Sequence, residues 1–212
     1  MNVFKPILQI CTFFVVISCL SCSTGAGDGE LRGTLILPSC GLEKFNFNLK
    51  VDFFAASYFE NTLTIIMQHT GKERAFADGL VLVVRDVKQA NQKLTEELDL
   101  TVEPNLEEFL QNGPDAGMPT TTSSSPARAT LYLNRTCPDN TLGFTDGAGT
   151  LVFDSIYLPD KEKRIKGSLN LKFVDPRTWK SLEEQGDRAE INGEFNFKYS
   201  SGSPAQPFPG ER

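Results

Sequence analysis

The chain has 212 residues, of which 40% are hydrophobic, and its Lys+Arg 21 against Asp+Glu 27 give a formal net charge of -6. This length is enough for one sizeable domain with its own core. A mildly acidic chain is not typical of proteins that bind nucleic acid, and it also argues against a basic patch that adheres to anionic lipid. We therefore expect no nucleic-acid partner.

The chain begins with a segment typical of an export signal. Lys5 precedes an apolar run over residues 7–17, and a stretch of small residues and cysteines follows it. The apolar run is too short to span a bilayer, which favours a secretory signal over an anchor helix. The segment resembles a bacterial lipoprotein signal, in which the cysteine after the cleavage site carries the lipid. An ordinary signal peptide cut nearby is the alternative, and we recognise no family for the rest of the chain.

Two cysteines compete for the lipid. The motif of lipoprotein signals asks for an aliphatic residue three positions before the cysteine and a small residue directly before it. Cys19 follows Val16, Ile17 and Ser18 and fits every position, whereas Cys22 has Cys19 in place of the aliphatic residue. Lipidation of Cys22 would nevertheless leave an even number of cysteines in the mature body. We favour Cys19, with residues 1–18 as the signal, and keep Cys22 as the alternative.

The resemblance implies a location and a first partner. Acyl chains on the cysteine would attach the protein to the lipid bilayer, and neither candidate cysteine is followed by aspartate, the residue that tends to hold enteric lipoproteins in the inner membrane. We therefore expect a lipid-anchored protein of the cell envelope, with the outer membrane as the default, while the inner membrane and the cell surface stay open. No cofactor is expected apart from the covalent lipid.

Alternation of apolar and polar residues dominates the body of the chain and predicts half-buried antiparallel strands. The predicted strands are 31–37, 45–53, 63–67, 79–84, 98–102, 129–133, 151–157, 169–173 and 189–199. About nine strands with turn signals between them favour an all-β antiparallel sandwich, with a β-barrel as the alternative. Because residues 79–84 are continuously apolar, we expect them to form a central strand.

The strand pattern also predicts which side chains form the core. The predicted core residues are Phe45, Phe47, Leu49, Val51, Leu169, Leu171, Phe173, Ile191, Phe195 and Phe197. The residues predicted to face outward are Asn46, Asn48, Asn170, Asn196 and Lys198.

The segments between and around the strands complete the predicted domain organisation. Residues 19–29 are expected to be a flexible tether, 30–199 a single domain and 200–212 an irregular tail. Short helices are predicted at 105–111 and 178–185. The polar stretch 113–126 is expected to be a mobile loop.

Two cysteines of the body are candidates for a disulfide. Cys40 and Cys137 each lie just outside a predicted strand, and an exported protein enters a compartment that permits disulfides. A bridge between them would close a loop of about a hundred residues and contribute on the order of 4 kcal/mol in the chain-entropy model. Two unpaired thiols are the alternative, because spacing alone does not prove pairing.

Catalytic motifs are not found in the sequence. His69 is the single histidine, and no Gly-x-Ser-x-Gly elbow accompanies it. A glycosidase pair could be drawn from Asp52, Asp99, Asp154 or Glu194, but each occupies the polar phase of a strand, where a solvated face is the simpler interpretation. We therefore predict that the chain is not an enzyme.

The loop over residues 139–149 is the most suggestive segment for a ligand. Asp139, Asn140 and Asp146 offer the oxygen atoms that calcium prefers, although their spacing does not match the helix-loop-helix calcium motif. Asp-Gly is also a common turn dipeptide, so a plain turn is the competing interpretation and no metal site is assigned.

Three classes of function remain. The favoured one is a non-enzymatic envelope lipoprotein whose sandwich binds an envelope protein or glycan or supports envelope structure. The runner-up is a calcium-assisted carbohydrate-binding module, which requires the 139–146 loop to lie beside exposed aromatic residues such as Tyr58, Phe59 or Tyr132. The third is a hydrolase that uses an unrecognised pair of carboxylates.

Overall fold

A computed structural model describes residues 26–69, 73–100, 106–112, 125–138, 144, 147–156 and 163–198. The described part contains ten strands and two α-helices. The strands are β1 (Ala26–Leu37), β2 (Leu42–Lys50), β3 (Phe53–Phe59), β4 (Thr62–His69), β5 (Asp78–Val84), β6 (Glu97–Asp99), β7 (Ala127–Leu133), β8 (Ala148–Ser155), β9 (Arg164–Val174) and β10 (Arg188–Lys198). The helices are α1 (Val87–Gln92) and α2 (Leu106–Asn112), and short 3-10 turns occur at Pro38–Cys40, Arg74–Phe76 and Pro176–Thr178.

The strands form two antiparallel sheets. The six-stranded sheet has the order β2-β1-β10-β9-β8-β6, and the four-stranded sheet has the order β3-β4-β5-β7. The prediction of an all-β sandwich is therefore confirmed, and the described strands do not close into a barrel. No helix among the described residues has the length and apolarity needed to cross a bilayer.

The strands of the two sheets cross at a steep angle. Phe54 on β3 stacks on Phe197, near the start of β1, with ring centroids 4.6 Å apart. At the other side of the four-stranded sheet, Phe144 bridges to Leu131 on β7 and lies 6.2 Å from Phe173, near the far end of β9. The order β3-β4-β5-β7 therefore runs along the strands of the six-stranded sheet. This is the arrangement of an orthogonal sandwich.

The core lies between the sheets and agrees with the predicted pattern except at Phe45. Nine of the ten predicted core residues are buried, whereas Phe45 is 39% exposed. Phe45 lies on β2, the edge of its sheet, beside the irregular register between Leu35 and Leu37. Four of the five predicted surface residues are exposed, and Asn196 is half-buried. The expected central strand is β5, which lies between β4 and β7.

Three details of the predicted strands and tether are wrong. The run 45–53 breaks after Lys50, and β3 begins at Phe53 as a tenth strand that the pattern does not predict. β1 begins at Ala26, so residues 26–29, expected to belong to the tether, pair with β10. Alternation fails to mark these segments because Gly27 and Gly29 occupy the core-facing phase of β1, and because apolar Phe53 and Ala55 occupy the outward phase of β3.

The helices are only partly predicted. The expected helix at 105–111 is confirmed as α2. The one expected at 178–185 is wrong: the chain makes a 3-10 turn at Pro176–Thr178 and continues in bends, since Thr178 ties both Asp175 and Asp187 through its side chain. Helix α1 is not predicted, although Asp86 caps it by accepting from the Gln89 amide at 2.9 Å. Residues 113–124 of the expected mobile loop and the tail 200–212 lie outside the described residues.

Candidate functional site

The outer face of the six-stranded sheet carries a continuous row of polar residues. Antiparallel register places one residue of each strand side by side. The row, here called the polar row, consists of Asn48, Arg32, Asn192, Asn170, Thr150 and Asp99, in the order of the strands. With neighbouring strands ~4.8 Å apart, its five steps span about 24 Å. All of these residues except half-buried Thr150 are exposed.

A groove of about 1030 Å³ opens on the same face, over β1, β10 and β9. The side chains around it are polar or charged: Asp28, Glu30, Arg32, Lys50, Asp154, Lys166, Ser168, Asn192, Glu194 and Asn196. Leu169 and Phe195 also line it, but Phe195 is buried in the core, so it contributes only backbone there. We call this surface the polar groove.

Core-facing glycines lie beneath the polar groove. A Cβ at Gly29 would lie 2.8 Å from the ring of Phe54, and one at Gly193 would lie 2.6 Å from the carbonyl oxygen of Glu30 and 2.7 Å from the Leu31 side chain. Glycine at position 29 lets the backbone of β1 approach Phe54 of the facing sheet, and glycine at position 193 lets β10 approach the neighbouring strand β1. Gly29 and Gly193 themselves line the polar groove, so the backbone of β1 and β10 contributes to its floor.

Ion pairs fix several charges of the polar groove. Arg32 Nη2 lies 2.5 Å from Glu30 Oε2, and Lys166 Nζ lies 2.8 Å from Asp154 Oδ2. The hydrogen bond from Arg32 lowers the pKa of the Glu30 carboxyl, and the same bond raises the pKa of Arg32. Both groups thus stay charged across the neutral range and hold one another in position at the edge of the polar row.

The chemistry of the polar groove favours binding through hydrogen bonds. Amides, a hydroxyl, guanidinium, ammonium and carboxylate groups offer both donors and acceptors. Among the described residues that line it, none presents an aromatic face, since the Phe195 ring points into the core. A partner would therefore be recognised by polar contacts spread along the sheet rather than by stacking.

The two cysteines expected to pair lie near the C-terminal end of β1. Cys40 and Cys137 have Cα atoms 5.8 Å apart, within the range of a disulfide. A buried carboxylate accepts hydrogen bonds from the residue that directly precedes each cysteine. Asp187 accepts from the amide of Ser39 at 3.1 Å, and Asp78 accepts from the amide of Thr136 at 3.0 Å and from its hydroxyl at 2.6 Å.

His69 has an acidic neighbour but not a triad. Its Nδ1 lies 3.0 Å from Oδ2 of Asp52, and both side chains are well exposed at a strand end. A catalytic triad also needs a hydroxyl or thiol hydrogen-bonded to the other ring nitrogen, and no described residue supplies one. Of the carboxylates considered for a hydrolase, Asp154 and Glu194 line the polar groove, whereas Asp52 and Asp99 lie outside it.

The structure describes only part of what the calcium-assisted alternative requires. Asp139, Asn140 and Asp146 lie outside the described residues, so their role stays a prediction. The described residues contain no group of three or more His, Cys, Asp or Glu side chains able to hold a metal ion.

Of the three aromatic residues that the calcium-assisted alternative requires, one is buried, one is half-buried and one is exposed. Tyr132 is 1% exposed and donates to Gln68 at 2.5 Å, and its burial raises its pKa. Tyr58 packs against the core, which leaves Phe59 as the exposed one of the three.

The predicted lipid attachment is not tested by the structure. Both candidate lipidation sites, Cys19 and Cys22, lie outside the described residues.

The polar groove is not predicted from the sequence, because its residues come from distant strands whose order and register the pattern does not give. The one available signal is the placement of Gly29, Gly167 and Gly193 in the core-facing phase of their strands.

Comparison of the chain with protein-family models, with curated proteins and with solved structures finds no match. The function therefore has to be argued from the residues and the geometry described above.

Proposed function

We propose that this chain is a lipid-anchored protein of a bacterial envelope and that its polar groove binds an extended glycan of that envelope. The anchoring half depends on the signal-like segment that ends at Cys19, or alternatively at Cys22. The outer membrane is the default location. The binding half depends on one observation, the concave polar face of the six-stranded sheet.

The shape of this face favours an extended partner. The polar row crosses all six strands, and its amide and hydroxyl groups repeat at the spacing of the strands. A glycan presents hydroxyl groups along its length, and Asn, Thr and Arg side chains satisfy such groups as donors and acceptors. A compact ligand would need a deeper and more apolar pocket.

The charges of the groove favour binding over catalysis. Glu30 is held by Arg32 and Asp154 by Lys166. A general acid works best with a pKa near the operating pH, whereas the ion pair lowers the pKa of Glu30. The paired carboxylates are thus better suited to accept hydrogen bonds than to transfer protons.

Co-sedimentation with purified peptidoglycan sacculi tests the binding half of this proposal. The wild-type protein in detergent should pellet with sacculi. Asn192→Ala removes an amide from the polar groove and should weaken binding about 2- to 10-fold, because the net free energy of one hydrogen bond corresponds to a change in affinity of this size. Asn46→Ala is the matched control, because Asn46 is exposed on the same sheet but does not line the groove.

Two results would contradict the glycan assignment. One is wild-type protein that stays in the supernatant with sacculi. The other is equal binding by the Asn192 and Asn46 variants, which would place the contact on another surface.

A further inference from the structure

Two glutamates lie side by side in the polar groove. Antiparallel register pairs Glu30 of β1 directly with Glu194 of β10, and both residues line the groove. Both belong to the outer face of the six-stranded sheet, since their strand neighbours Leu31 and Phe195 are buried in the core. Like charges directly opposite one another on neighbouring strands are destabilising. We therefore expect this pair to be compensated, either by groups of the protein or by a ligand.

Glu30 is compensated within the protein. Arg32 forms an ion pair with its carboxylate, and Asn48 contributes a further hydrogen bond to it. Lys50 is its register neighbour on β2 and adds a favourable charge. The oxygen atoms of Glu30 are thus already engaged by the protein.

Glu194 is not engaged in this way. Its charge acts on Arg32 from a distance, but within the described part of the chain no side chain forms a hydrogen bond or an ion pair with its carboxylate. Two polar neighbours that line the groove, Ser168 opposite on β9 and Asn192 one register row away, likewise have no side-chain hydrogen bond to described residues. A carboxylate, a hydroxyl and an amide are therefore available to a ligand at one place.

The cations of the groove are all placed beside carboxylates. Arg32 and Lys166 form the ion pairs described above, and Lys50 lies next to Glu30 in register. These three cations face four carboxylates that line the groove, which leaves a net charge of -1. An anionic ligand would therefore meet cations whose charge is already balanced.

The next charges along this face lie too far from Glu194 to alter that balance. Arg164 and Lys198 lie two register rows away on one side, and the opposed pair Glu190 and Lys172 lies two rows away on the other. Two rows on one face correspond to four residues, or about 14 Å along a strand, which exceeds the Debye length of ~8 Å at physiological ionic strength.

We propose that the polar groove selects neutral glycans that carry hydroxyl and acetamido groups over anionic glycans, and that Glu194 sets this selectivity. This inference rests on the proposed glycan binding. The Glu194 carboxylate accepts charge-assisted hydrogen bonds from hydroxyl or amide groups of the ligand, with Ser168 and Asn192 beside it as further donors and acceptors. The same carboxylate repels an anionic glycan, so one residue supplies both the attraction and the rejection.

Titration calorimetry of the full chain in detergent tests the selectivity. The probes are chitin pentasaccharide, which is neutral, and a hyaluronan oligosaccharide of similar length, which carries carboxylates. The wild type should bind the chitin probe more tightly. Glu194→Gln should weaken that binding about 5- to 10-fold, because a hydrogen bond to a charged group becomes one to a neutral group. It should strengthen hyaluronan binding about 3- to 4-fold, because a repulsion between charges about 5–6 Å apart in water is removed.

Glu190→Gln is the matched control. It removes a carboxylate from the same strand and the same face, but Glu190 does not line the groove. Both affinities should therefore stay within about 2-fold of the wild type, since the removed charge is beyond the Debye length. The preference of the wild type tests the selectivity without any variant.

Several results would overturn the inference. One is wild-type protein that shows no preference for the chitin probe, and another is equal behaviour of the Glu194 and Glu190 variants. Shortening of either probe, followed by mass spectrometry, would show that the neighbouring Glu30 and Glu194 carboxylates cleave a glycan instead of binding it. Co-sedimentation with sacculi is repeated on the same preparations. Protein that pellets with sacculi without the preference defeats only the selectivity, whereas protein that binds neither sacculi nor the probes defeats the proposed function as well.

Discussion

The buried carboxylate of Asp187 accepts hydrogen bonds from both the backbone amide and the hydroxyl of Ser39, 148 residues earlier in the chain. Ser39 directly precedes Cys40, so this contact joins the start of β10 to the turn that carries one half of the cysteine pair. Asp78 holds the other half in the same way, through Arg135 and Thr136. Two buried carboxylates thus hold the chain segments that carry the two cysteines.

Removal of the Asp187 carboxylate should destabilise the fold. Asp187→Ala removes the acceptor of two hydrogen bonds from Ser39, each of which contributes ~0.5–1.5 kcal/mol, so we expect a loss of ~1–3 kcal/mol. Urea unfolding of the variant should show this loss at an unchanged slope. Glu190→Ala, on the exposed face of β10 directly after Asp187, is the control and should stay within ~0.5 kcal/mol. Equal midpoints for the two variants would show that the Ser39 contact contributes nothing.

The cysteine pair should be oxidised in the exported protein. Cys40 and Cys137 are 97 residues apart in sequence, and the bridge should add on the order of 4 kcal/mol in the chain-entropy model. Protein that is unfolded without reductant should resist alkylation at both cysteines, and reductant should lower its unfolding midpoint. Rapid labelling of both thiols in unreduced protein would refute the bridge.

The aromatic packing between the sheets should dominate stability. Phe195 is buried, and its ring meets Phe153 edge-on with centroids 6.0 Å apart. Phe195→Ala should cost ~3–5 kcal/mol, because it removes a large side chain from a packed core. Asn196→Ala removes only an exposed bond to Arg164, and should stay within ~0.5 kcal/mol. Chemical denaturation compares the two variants, and similar losses for both would be inconsistent with the described sandwich.

The Glu30 carboxyl should titrate below its ordinary value of 4.5, because the hydrogen bond from Arg32 stabilises its charged form. A lowered pKa in the folded state contributes stability above the unfolded value, and that contribution is lost as the pH falls through the lowered pKa. Carboxyl NMR should show a low midpoint for Glu30 that rises toward 4.5 in Arg32→Ala. A midpoint unaffected by this substitution would show that the pair does not form in solution.

Much of the fold follows from side-chain alternation, and the exceptions have physical causes. Phe195 and Phe197 are correctly predicted to point inward because they alternate with polar residues on a half-buried strand. β3 is missed because Phe53, Phe54, Ala55 and Ala56 form an apolar run with no polar phase, as happens where both faces of a strand are largely covered.

The polar groove is less predictable than the core. Asn192 is predictable as a surface residue from its own strand, but its neighbours Arg32 and Asn170 come from β1 and β9, and only the strand order brings the three together. Sequence alternation gives the face of a residue but not its neighbours on that face.

Metabolic labelling with a radioactive fatty acid tests the proposed membrane anchor most directly. The wild-type chain, produced in a bacterium that processes lipoproteins, should incorporate the label. Cys19→Ala with Cys22 retained should lose it, and Cys22→Ala should keep it. Loss of label in Cys22→Ala alone would move the anchor to the alternative site. An unlabelled wild-type chain, or label that survives replacement of both cysteines, would contradict the lipoprotein assignment.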